Sequence, residues 1–280
     1  MASRFQLHDM RLRVLCAIAC SLISSCTNVP LHEGLSLSSY TGMTPSGGTL
    51  TKAKLRVDSA PVLAARTVRI VPTTVRTGGD SAFAPKDLAL VTNAIDRALC
   101  TGLSDRFRIA APNEPADLVV HAAVTDIVAT NRAAAATSTV ASRGGLVAQI
   151  PMPRLPIGLG GLAVEAEAVG ADGSQKAAML WSRGANMLTT KASVSTVGDA
   201  YSLSSAFGTD FSRTLIGGKD PFKETMVMPS MQKIKASLGG APKYEACKAF
   251  GSAPGIRGAI AGQLGLPPDW TDKGATASQQ

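Results

Sequence analysis

The chain has 280 residues, 45% of them hydrophobic and only 4% aromatic, with a formal net charge of +8. That length can bury one substantial core, or a core with a small appendage, but so few aromatics imply thin packing. The Lys and Arg residues are scattered and no aromatics interleave with them, so the positive balance suits anionic envelope surfaces and argues against nucleic acid.

The first organised stretch is Arg11 to Cys26. Arg11 and Arg13 form a positive flank, Val14 to Ile23 is an apolar run, and Ser24 and Ser25 are small. This is the layout of a secretory signal peptide over residues 1–25. The apolar run would cover about 15 Å as a helix, half of a ~30 Å hydrocarbon core, so it does not span. An ordinary peptide cut near Ala19 is the alternative; a buried N-terminal helix would need a polar face, which the run lacks. Leu22-Ile23-Ser24-Ser25-Cys26 resembles a bacterial lipobox, which implies acylation of Cys26 as the first mature residue. Cys20 is a poorer acceptor, because bulky Ile18 lies two residues before it. Two or more acyl chains hold a protein firmly where one chain holds it marginally. Thr27-Asn28 carries no aspartate retention signal, which implies the outer membrane, with the protein facing the periplasm or the cell surface. Arg4, Arg11 and Arg13 leave against Asp9, so the mature chain keeps six of the eight positive charges.

Residues 26–50 join the acylated cysteine to a Ser-, Thr-, Gly- and Pro-rich stretch, the composition of a tether about 25 Å end to end. Within it, Leu35, Leu37 and Tyr40 are less linker-like and suit an edge piece docked on the fold. A domain is expected over 51–216. Thr67–Pro72 alternates and is β-branched, a strand ended by proline. A helix is predicted from Pro85 or Lys86 to Ser104, with Leu88, Val91, Ile95, Leu99 and Leu103 on one stripe. Short and long strands follow at Arg106–Ile109 and Asp117–Val128. Leu162–Val169 and Lys176–Ser182 flank Asp172-Gly173 as a hairpin. A second helix is predicted over Val197–Ile216. This order predicts an α+β two-layer sandwich, a mainly antiparallel sheet with two helices on one face. Residues 217–280 read as a short helical and irregular C-terminal extension, with helical turns near Met226–Leu238, Tyr244–Phe250 and Arg257–Leu266.

With Cys16 and Cys20 lost in the leader and Cys26 acylated, Cys100 and Cys247 remain. In an oxidising compartment they bridge, or they stay as two buried free thiols. A bridge over so long a loop constrains the unfolded chain by roughly 5 kcal/mol in the entropy model.

Taken together, these residues resemble a family of uncharacterised proteobacterial lipoproteins, a domain of unknown function. The likeness rests on Cys26, Leu37-Ser-Ser-Tyr40 with its following glycine, Val68–Pro72, Pro115-Ala-Asp117-Leu-Val-Val, and Glu165-Ala-Glu167 before Asp172-Gly173. It covers roughly Leu35 to Ile216 and implies an envelope lipoprotein with a small α/β fold and no catalytic residues to carry over. The stretch after Asn131 and the tail after Gly217 depart from it.

No catalytic set is legible. His8 lies in the leader, His32 in the tether, and His121 alone in the domain, where it reads as a satisfied sheet residue. GxSxG, HExxH and CxxC are absent, so neither a serine hydrolase nor a metal site is expected, and no cofactor is implied. Glu165 and Glu167 share one face of a strand; alternation with alanine and valine makes that a solvated outer face. The alternative is a periplasmic hydrolase using Glu165 with Asp172 or Asp126. The most unusual stretch is 132–161, which lies between Asp126 and Glu165 with no acidic residue. There Arg132, Arg143 and Arg154 punctuate Leu146, Ile150, Leu155, Ile157 and three prolines, a pattern suited to contact with a partner or an anionic membrane, or else a strand and core plug. The expected function is a non-enzymatic binding or adaptor lipoprotein, held to membrane lipid through Cys26 and contacting another envelope protein.

Overall fold

A computed structural model describes residues 29–76, 82–138, 158–186, 190–224, 230–272 and 274. Its centre is one mixed sheet ordered β1-β2-β8-β7-β6-β3-β5, with β4 also pairing β6. In chain order these strands are β1 (Thr44–Gly47), β2 (Thr51–Val57), β3 (Thr67–Ile70), β4 (Thr74–Val75), β5 (Arg108–Ile109), β6 (Leu118–Val128), β7 (Gly161–Gly170) and β8 (Gln175–Gly184). The helices are α1 (Ser59–Ala64), α2 (Pro85–Leu103), α3 (Gly198–Gly217), α4 (Met231–Ser237) and α5 (Gly255–Gln263). The fold is α+β with an open sheet, as the pattern of elements predicts.

The antiparallel part runs β1-β2-β8-β7-β6, whereas β3 pairs β5 and β6 in parallel and β4 pairs β6 in parallel. Parallel pairing of β3 with β5 follows from α2, which returns the chain across the sheet between them. Part of the stretch expected as a tether is in the fold: β1 lies within residues 26–50. Its Pro45 is accommodated because β1 is an edge strand, where a missing N–H costs no ladder bond on the open side.

One face of the sheet carries Val68, Val120, Val124, Val164, Met179 and Trp181, all buried in the core with α2 and α3. The predicted stripe of α2 delivers Val91, Ile95, Leu99 and Leu103 to it. From α3 come Phe207, edge-on to Trp181 at 5.7 Å between ring centroids, and Phe211, stacked on Phe207 at 6.1 Å. Pro85 opens α2 with Asp87 in its first turn, and Gly218 ends α3 in the left-handed region (φ 62°). There a Cβ would stand 2.8 Å from Leu63 Cγ, so the stop packs against α1.

The C-terminal extension is fastened to the helices. Cys100 of α2 is disulfide-bonded to Cys247 of the 3-10 turn Glu245–Phe250, across a sequence separation of 147. Buried Arg97 pairs with Asp272 and also donates to the Phe250 carbonyl at 3.2 Å. Tyr201 of α3 donates to the same Asp272 carboxylate at 2.7 Å; burial first, then that charge, pushes the phenol pKa up. Among the described residues no helix is long and apolar enough to cross a membrane.

Candidate functional site

The face of the sheet away from α2 and α3 is closed by a strap. Residues 29–40 run over β7 in its own direction: Val29 packs on Gly161, Gly34 and Ser36 meet Glu165, and Ser38 meets Glu167. Gly34 N–H donates to Glu165 Oε1 at 2.6 Å, Ser36 N–H to Oε2 at 3.1 Å, and Tyr40 O–H to Oε2 at 2.8 Å. The Ser36 hydroxyl adds a further donor. Ser38 supplies both N–H (2.8 Å) and O–H (2.6 Å) to Glu167, and Gln175 Nε2 adds a third at 2.7 Å. Two carboxylates two residues apart thus meet hydroxyl residues two apart, because strand side chains repeat with period two.

Gly34 and Ser36 can aim their N–H groups at one carboxylate because Leu35 between them takes φ 57°. A left-handed residue between successive N–H groups makes a concave anion cradle, here filled by Glu165. The cost is a bulky residue in a conformation it rarely adopts, with its side chain 82% exposed. A Cβ at Gly34 would stand 2.3 Å from Thr125 Cγ2, so the strap lies against β6 with no room to spare. Thr125 faces the strap because period two carries it to the side of His121 and Ala123, which lie opposite Glu167 and Glu165.

Glu165 and Glu167 are therefore 1% and 6% exposed, and not on a solvated outer face. The alternation correctly separates the two faces, but a segment more than 120 residues away in sequence covers the polar one. A carboxylate has about four lone-pair positions, and four donors already meet Glu165. Beside this cluster is a cavity of about 200 Å³ lined by Ser36, Leu37, Thr74, Arg76, His121 and Glu167, among others. His121 sits directly across from Glu167 in the β6–β7 register. It is exposed, as is Arg76, so His121 is a sheet residue in mid-strand, as expected, whose ring faces this cavity. Period two puts Thr74 and Arg76 on this same face. Burial first, then the bond to Glu165, pushes the Tyr40 pKa up, so the phenol stays a donor.

The other expected site residues are scattered. Asp126 is half-buried beyond a shift in the β6–β7 register, opposite Ala163. Asp172 is in the β7–β8 turn, where Lys176 and Ser174 hold its pKa down to about 2. Neither joins Glu165. Arg132 is exposed at the start of a helical stretch over 132–138. Cys26, Arg143, Leu146, Ile150, Arg154, Leu155 and Ile157 lie outside the described residues. Among the described residues no group of three or more His, Cys, Asp or Glu side chains could hold a metal ion. The segment expected to dock as an edge piece through Leu35, Leu37 and Tyr40 does dock, but over the sheet face and through Ser36, Ser38 and Tyr40; the signal missed was Ser36-x-Ser38-x-Tyr40, hydroxyls at the spacing of Glu165-x-Glu167.

The chain is similar to the solved PelC dodecamer from Paraburkholderia phytofirmans, at 11% identity over 61% of this chain and 100% of that one, with a TM-score of 0.37. A substituted form of that dodecamer matches at 12% identity over 60% and 98%, with a TM-score of 0.36. No curated protein matches the sequence. A family described as "Protein of unknown function (DUF3313)" matches residues 33–211, from the strap into α3. That span is well over half of the sequence, and the chain belongs to this family.

Proposed function

We propose that the protein is a lipid-anchored component of the bacterial envelope that works by binding, as an adaptor held at a membrane surface through acylated Cys26. The observation that carries this is the seat of Val29. It is buried, its carbonyl accepts from Ser182 Oγ at 3.3 Å, and it packs on Gly161 at the start of β7. Only Thr27 and Asn28 separate Cys26 from it, a reach of about 10 Å fully extended. An acyl anchor there would hold one particular end of the sheet at the bilayer, with no long tether between.

The cationic, prolyl stretch that follows Ser138 supports the same orientation. It rejoins the fold at Gly158, whose carbonyl accepts from Asn131 N–H at 2.9 Å, three residues before Gly161. Arg143, Leu146, Ile150, Arg154, Leu155 and Ile157 fall in the sequence between Ser138 and Gly158, and their cationic and apolar composition suits an anionic membrane or an envelope partner. The lack of an aspartate after Cys26 favours the outer membrane. The donors that already meet the two carboxylates, four on Glu165 and three on Glu167, favour binding over carboxylate-dependent hydrolysis. Arg76 and His121, open in the cavity beside them, are the side chains offered to a partner.

Radiolabelled palmitate tests the anchor. Label is expected in the wild-type chain and absent from Cys26→Ala; no label in the former, or equal label in both, overturns it. Crosslinked purification from envelopes tests the adaptor role: the Arg76→Ala/His121→Ala pair is expected to lose a co-purifying protein that wild type retains.

A further inference from the structure

We infer that the exposed apolar stripe of α5, with Trp270 beside it, is the surface on which the domain rests on a bilayer, an inference that rests on the acylated-Cys26 reading. Ile256, Ile260 and Leu264 follow one another at four-residue spacing and so share a stripe. All three are exposed, Ile256 at 63% and Ile260 at 54%, and Trp270 is exposed at 63% in the turn that follows. The helix meets the protein with its other side, through buried Ala261 and through Gly258, where a Cβ would stand 3.6 Å from Thr271 Oγ1.

Charge selects the occupant. Arg257 is the one charged residue of α5, and no acidic residue falls between Glu245, which is paired with Lys248 at 2.7 Å, and Asp269. A short amphipathic helix with large aliphatics on one side and a single charge, a cation, fits the interfacial layer of an anionic membrane, and an exposed tryptophan fits the same depth.

Position agrees. Gly265, just past α5, accepts from Val194 N–H at 2.9 Å, and Leu266 accepts from Ser193 Oγ at 3.2 Å. Residues 193–197 lead into α3, whose Asp199 accepts from Gly160 N–H at 2.7 Å. Gly160 adjoins Gly161, on which Val29 rests. The C-terminal end of α5 therefore lies at the end of the sheet to which Cys26 is tied.

Trp181 is fully buried, so of the two tryptophans only Trp270 can report contact with lipid. The acylated full-length protein is reconstituted into phosphatidylethanolamine–phosphatidylglycerol vesicles with or without acyl-chain bromines. Bromine is expected to quench emission by up to about half, one of two tryptophans being in reach. Ile256→Asp/Ile260→Asp should lose most of that quenching while still co-floating and carrying palmitate, with its fold checked by circular dichroism. Equal emission from wild type in both vesicle types, at full co-flotation, overturns the inference. So does a stripe-dependent dimer without quenching, which would assign the surface to a second copy. If palmitate does not enter Cys26, the anchor reading falls separately, and the Cys26→Ala chain on the same vesicles decides for the stripe by quenching and against it by none.

Discussion

On one side of β7, Leu162, Val164, Ala166 and Ala168 are buried in the core that α2 and α3 complete; on the other, Glu165 and Glu167 meet hydroxyls and amides from a strap. The same strand is thus closed twice, by different physics. The helix side is held by area, about 25 cal/mol for each Å² of apolar surface removed from water, and tolerates approximate fit. The strap side is held by count: a buried carboxylate is stable there only while its donors stay in place. One face should fail globally when damaged, the other locally.

The largest effect is expected at Phe207, fully buried between Trp181 and Phe211. Phe207→Ala should cost about 3–5 kcal/mol of global stability, read as a lower urea midpoint at unchanged slope. Next comes Asp96, a carboxyl on the helix side, whose two oxygens share the Thr73 N–H at 3.0 and 3.2 Å while the Thr73 hydroxyl donates to Oδ1 at 2.6 Å. Burial outweighs those bonds and raises its pKa to about 7. The folded state therefore holds a proton that the unfolded state releases near pH 4, so this group's contribution is fully present below that and falls as pH rises toward 7. The loss is on the order of 4 kcal/mol. Asp96→Asn should flatten the stability profile across that window; a slope unchanged from wild type would sink the assignment.

This contrast also explains what was legible beforehand. Leu88, Val91, Ile95, Leu99 and Leu103 announce α2 because apolar spacing records both the helix and the side it buries. Glu165-Ala-Glu167 announces a polar face with equal clarity, yet period two cannot say whether water or protein covers it. The covering residues sit among Ser, Gly and Pro, whose composition is that of a linker, because the strap bonds through side chains and lone amides and not through a ladder. Thr51–Val57 was legible in principle, with Lys52, Lys54 and Arg56 alternating against Ala53, Leu55 and Val57. Arg97–Asp272 was not, since nothing local in either residue names the other.

On the strap face, Glu165→Ala removes the acceptor for four donors at once. Its expected cost is about 1–3 kcal/mol, smaller than that at Phe207, but its signature is sharper. Hydrogen exchange should accelerate at the Gly34 and Ser36 amides while the helix-face amides stay protected. Uniform acceleration across both faces would mean that the two are one cooperative unit, and the division drawn between them would fail.

Tyr40→Phe probes the count itself. The phenol donates to Glu165 at 2.8 Å and receives the Ser36 and Leu37 N–H groups at 3.0 and 3.3 Å. Without it, Glu165 still holds three donors, from Gly34 N–H and from the amide and hydroxyl of Ser36. The expected loss is only about 1 kcal/mol, since the half-exposed strap lets water replace part of what is removed. Exchange should then rise at Leu37, whose N–H is bonded to the phenol, and stay slow at Gly34, whose bond to Oε1 is untouched. If Gly34 opens as readily as Leu37, the donors act as a single clasp, and removing any one of them releases the strap as completely as removing the carboxylate.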